Sequence, residues 1–201
     1  MLCDDPLDPD TFHAFAAHEA AHATVTSALQ IEVRRILVVQ LTAPFKRLYD
    51  GQTPKESCSH SQPDPQQYKD AGPAQRCTIA RAGEVGQRIH LGAAAVLSLD
   101  HWLEDFKEIE FESKLSGPEL EELVESLGTT IGSWLREPGP NRTWKNLTEV
   151  LTKRRMPHPA DRDGFRYELE GKELQSLLSG TPEFPAALLP DLPPKPNGSP
   201  S

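Results

Sequence analysis

Between Glu119 and Leu135 the apolar residues Leu120, Leu123, Val124, Leu127, Ile131 and Leu135 recur at intervals of three and four, which predicts an amphipathic helix ended by Gly139-Pro140. The same periodicity predicts a helix over 74–91, where Cys77, Ile79, Ala80, Ala82, Gly83, Gly86 and Ile89 are set among polar residues. A further helix begins between Ser98 and Glu104 and runs through Phe106, Ile109 and Phe111 towards Leu115, where Gly117-Pro118 breaks it. Trp144, Leu147, Val150 and Leu151 share one side of another segment, and Tyr167 to Leu174 leads into a short final helix near Leu178. Ile31 to Leu41 reads differently: it is rich in β-branched residues, and Ile36 to Val39 predicts a strand with a buried face. Asp50 to Pro73, polar and poor in apolar side chains, is expected to be a long surface loop. The pattern as a whole predicts a mainly α fold with a small β-sheet over 9–180, between an N-terminal arm at 1–8 and a Pro-rich flexible tail at 181–201.

One more helix is predicted from about Pro9 to Leu29, with Asp8 as N-cap, Pro9 in the first position and Asp10 at the positive end of the dipole. Phe15, His18, Glu19 and His22 share a stripe at helical spacing, and Ala16, Ala17, Ala20, Ala21 and Ala23 allow other segments to approach closely. The stripe is therefore expected to face inward. Within it, His18-Glu19-Ala20-Ala21-His22 has the HExxH spacing, which puts both imidazoles on one helical face where they can converge on one tetrahedral ion. Glu19 falls beside that ion rather than on it, the position of a general base for a water. Buried in this way, two histidines and a glutamate need partners to offset their desolvation.

With 201 residues, 37% apolar and 25% charged, the composition is that of an ordinary globular domain. The net charge of −9 argues against a phosphate backbone as partner, and no window reaches the length of an apolar membrane span. The N-terminus has no basic stretch followed by an apolar run, so a cytoplasmic protein is expected. Cys3, Cys58 and Cys77 are odd in number and scattered, which fits reduced thiols. Cys58-Ser59-His60 lacks a matching second pair and reads as a solvated coincidence rather than a metal clip.

The run Phe15 to Val25 around the pentad resembles the HEAGH-containing helix in the peptidase domain of FtsH-type zinc metalloproteases. The later order is similar too: a strand at 33–41, a small-residue helix with Ala82-Gly83, an acidic residue opening another helix, and a closing Leu169-Glu170-Gly171-Lys172-Glu173-Leu174. The likeness spans roughly 9–180 and implies a helical FtsH-peptidase-like fold in which His18 and His22 bind Zn2+ and Glu19 activates water. It also implies an aspartate as third ligand, at the start of a later helix. Two positions compete: Asp105 keeps the family's apolar spacing one and four residues on, whereas Asp100 keeps the preceding serine, Ser98; the spacing favours Asp105. Ala21 departs from the family's glycine, which would crowd the backbone near the metal, and Gln87 stands where a glutamate is usual.

The resemblance implies a zinc metallopeptidase acting on a peptide or protein substrate, with the 33–41 strand holding that substrate by edge pairing. No GxxxxGK[ST] phosphate loop is present, so powered unfolding falls outside this chain and a separate ATPase enters as a partner that would deliver clients. The alternative is a catalytically silent binding or regulatory module on the same fold.

Overall fold

A computed structural model describes residues 9–41, 59–92, 99–161 and 164–192, with only the backbone for 9–11 and 99–102. The N-terminal arm with the Asp8 cap and Cys3, then Cys58, Ser98, the Asp100 side chain and the tail beyond 192 lie outside the described residues. In chain order the elements are α1 (Pro9–Ala28), β1 (Val33–Gln40), β2 (His60–Pro63), α2 (Pro65–Asp70), α3 (Pro73–Leu91), α4 (Leu99–Ser113), α5 (Gly117–Arg136), α6 (Pro138–Lys153), β3 (Met156–Pro157), β4 (Phe165–Glu170) and α7 (Gly171–Leu178). The fold is mainly helical with one small antiparallel sheet, as the hydrophobic pattern predicts.

The alanines make α1 the hub. Ala14, Ala16, Ala17, Ala20, Ala21 and Ala23 are fully buried, so α3, α6 and β1 can all close on this helix. Its end is set by Gln30 in the left-handed region (φ 62°) with the Ile31 amide donating back to Thr26 O at 3.1 Å, a Schellman-type stop. On the far side of the turn, β1 lies inside a sheet of order β2-β1-β4-β3. Ile36, Leu37 and Val38 are all fully buried, so β1 is covered on both faces, which is why its sequence is an unbroken apolar run rather than an alternation.

Several boundaries differ from expectation. Part of the predicted 50–73 loop forms β2 and α2: Asp64 caps α2 through the Gln66 and Gln67 amides at 3.0 and 2.9 Å, with Pro65 in the first turn. Phe165 to Glu170 is a strand, paired with β1 from Arg35↔Glu170 to Gln40↔Phe165. Gly139-Pro140 sits in the first turn of α6 rather than ending α5, and the tail does not begin at 181. Phe184 is buried against Trp134, with ring centroids 5.0 Å apart, and its amide donates to Ala28 O at 2.9 Å; a 3-10 turn follows at Ala186–Leu188. Deleting that ring leaves a cavity beside the indole, so Phe184→Ala is expected to lower stability by about 3–5 kcal/mol, read from urea unfolding.

Buried ion pairs help set the register of the helices around α1. Arg76 of α3 and Glu112 of α4 pair at 2.7 Å, both side chains less than a tenth exposed, and the Arg76 guanidinium also donates to the carbonyls of Tyr68, Lys69 and Ala71. Arg81 of α3 pairs with Glu84 and donates from Nε to Val124 O of α5 at 3.1 Å. Among the described residues no helix is long and apolar enough to cross a membrane, and Cys77 is a buried free thiol.

Candidate metal centre

His18 and His22 leave α1 on one face, as residues four apart must, and their Nε2 atoms stand 3.0 Å apart. Asp105 comes from the second turn of α4, and its Oδ2 lies 3.4 Å from each of those nitrogens. The three side chains form the one group of potential metal ligands found among the described residues. Asp105, the aspartate favoured by the apolar spacing, is thus placed against the histidines, while the Asp100 side chain lies outside the described residues.

The geometry fits a bound divalent ion. Ligands at zinc distances of about 2.0–2.1 Å in a tetrahedron lie roughly 3.3–3.4 Å from one another, close to the observed edges of 3.0, 3.4 and 3.4 Å. Asp105 Oδ2 is buried and makes no well-aligned hydrogen bond, so its lone pairs converge on the space the imidazoles share. The other ring nitrogen of His22, Nδ1, is 2.8 Å from Ile79 O; it donates there, which fixes the tautomer that leaves Nε2 free to ligate.

Gly83 of α3 makes room for the rings. A Cβ at this position would overlap the Nε2 atoms of both His18 and His22. One turn on, Gly86 accommodates Ala21: a Cβ there would collide with the Ala21 methyl and lie 2.9 Å from Ala17 O. The crowding expected from Ala21 therefore falls on the α1–α3 contact, where a glycine relieves it, and not on His18 or His22. Gln87 is buried, and no partner engages its Nε2.

Glu19 is 3% exposed and points into the same cleft. Burial raises its pKa; the facing His18 and His22 pull it down and Asp105 pushes it further up, while the Ser61 amide of β2 donates to the carboxylate. In the metal-free chain burial would lower the His22 pKa, but the Asp105 carboxylate prevails and holds it up at about 9. Metal must therefore displace a proton from His22. Zinc affinity is expected to rise about tenfold per pH unit up to about 9, measured by competition with a chromophoric chelator at pH 7 and 8.

The cleft has a volume of about 250 Å3 and is completed by residues the sequence reading passed over. Ser59, His60, Ser61 and Pro63 of the β2 segment form one wall. Tyr68 of α2 forms another, its hydroxyl donating to Glu108 Oε1 one turn beyond Asp105. Burial raises both the Tyr68 phenol and the Glu108 carboxyl above their ordinary values. His60, set aside in the sequence as a coincidence, accepts from Arg35 Nη2 at 3.0 Å. The strand beside the site is also not the expected one: β1 is interior, and among the described residues β2 is the edge strand on that side. No protein-family model matches the chain, and no curated protein matches it.

Proposed function

We propose that the chain is a zinc-dependent peptidase, a counterpart of the FtsH-type peptidase domain, in which His18, His22 and Asp105 hold the metal and Glu19 is the general base. The observation that carries this reading is the triangle of two imidazoles and a carboxylate with a second, buried carboxylate beside it in an open cleft. When bound, zinc supplies Lewis acidity to the carbonyl under attack. Glu19 takes the proton of the attacking water and passes it to the leaving nitrogen, and the Ser61 amide fixes its orientation. In the metal-free chain burial would raise the Asp105 pKa, but the facing imidazoles hold it well below the usual carboxylate range, so the carboxylate is already in the ionised form a metal ligand needs. An extended substrate would lie along β2, the edge strand of the described sheet on the cleft side.

Metal analysis of the purified chain, together with digestion of a peptide library before and after chelation, tests this. One zinc per chain, cleavage lost on chelation and cleavage restored by zinc are the expected results. Zinc without cleavage would make the chain a binding module, and absence of zinc would remove the proposal altogether.

A further inference from the structure

A second cavity, about 610 Å3, opens between the first half of α1, the last turn of α3 and the length of α6, and it shares no lining residue with the metal cleft. Its floor is apolar. Ile89 and the buried Trp144 close it, the indole held in place by its Nε1 donating to Ala17 O at 3.0 Å. On one wall His13 of α1 and His90 of α3 face each other, with ring centroids 4.1 Å apart.

The rim carries the opposite sign from the protein as a whole. In a chain of net charge −9, the described residues that line this cavity include Arg136, Lys145 and Lys153 against one acid, Glu149, whose carboxylate is paired with Lys153. Arg136 is braced at the edge by its own donation to Gly132 O at 2.9 Å. Beyond it a neighbouring cavity of about 500 Å3 shares Ile89 and Arg136 and continues past Arg88, which gives an elongated body room to extend. A concave site with an apolar floor and a cationic rim stabilises an anion whose body leaves water. Its size lies within the roughly 300–1,000 Å3 range of small-molecule pockets.

We propose that this cavity binds an amphipathic organic anion, its carboxylate or phosphate head against Lys145, Lys153 and Arg136 and its apolar body over Ile89 and Trp144. The site is built from groups the peptidase reading does not use, so either stands without the other.

Isothermal titration calorimetry on the whole chain decides the matter, with sodium decanoate, decyl phosphate and decyltrimethylammonium as probes. Saturable binding of the anions and none of the cation is expected, and the comparison of decanoate with decyl phosphate tells which head the rim prefers. Lys145 and Lys153 are both exposed, so the Lys145→Glu, Lys153→Glu double variant should keep its melting curve while its affinity for the anions falls by about tenfold or more. Glu19→Gln should bind them as the parent chain does. Equal affinity for the cationic probe, no saturable anion binding, or a folded double variant that binds undiminished would overturn the assignment.

Discussion

Replacing Glu19 with glutamine is expected to reduce peptide cleavage by about a hundredfold to ten-thousandfold while zinc content stays at one per chain. The substitution keeps shape and removes only the capacity to take a proton. The geometry makes the separation clean: Glu19 stands outside the triangle of His18 Nε2, His22 Nε2 and Asp105 Oδ2, so the ligand set is untouched. Stability should hold or rise slightly, because a neutral amide avoids the desolvation that already raises the carboxylate's pKa, and the Ser61 amide still finds an acceptor. Kinetics on a cleaved library peptide, run beside metal analysis of the same preparation, provide the check. Undiminished cleavage would remove Glu19 from the mechanism, and loss of zinc would mean that it supports the ligands instead.

Gly83→Ala is expected to weaken zinc binding more than about a hundredfold, a larger loss than altering an outer partner of a metal ligand usually brings. The added methyl would occupy space now held by the Nε2 atoms of both histidines, so one ring or the whole of α3 has to move. Overpacking of this kind costs about 1–3 kcal/mol. Gly86→Ala is the matched control: its methyl meets Ala21 and Ala17 O, away from the ligand nitrogens. Both variants should melt earlier than the parent, but only the change at 83 should abolish tight zinc binding in a calorimetric titration. Equal losses of zinc from both would show that the site depends on helix spacing in general rather than on the volume beside the imidazoles.

The fold and the heart of the site were legible for different reasons. Where a helix is amphipathic over several turns, as in Glu119 to Leu135, periodicity located it to within a few residues. The HExxH spacing placed His18, Glu19 and His22 on one face because four residues span about one turn. Asp105 required the apolar spacing along α4, and Ile109, fully buried four residues on, is what turns that face towards α3.

Short polar elements were hidden. β2 consists of His60-Ser61-Gln62-Pro63, with no apolar alternation to mark it, and it becomes a strand only because β1 offers a partner. The cap at Asp64-Pro65 is a readable signal, an aspartate followed by a proline in the first helical turn, but the polar composition around it is that of a loop. Tyr68 and Glu108 meet across 40 residues of sequence, and nothing local predicts that. Phe184 sits among prolines that looked like a disordered end, and its burial depends on a groove formed by Trp134 and the end of α1.

Because α1 is enclosed by α3, α6 and the sheet, the pair of candidate ligands it contributes depends on the whole fold. An isolated peptide of residues 9–28 could present the histidines but neither the aspartate nor the dry surroundings. Metal occupancy should thus behave as a reporter of the native state, with release coinciding with the global unfolding transition and no partly unravelled species retaining the ion. Any change that loosens the central helix is therefore expected to be felt at once by both stability and the candidate centre.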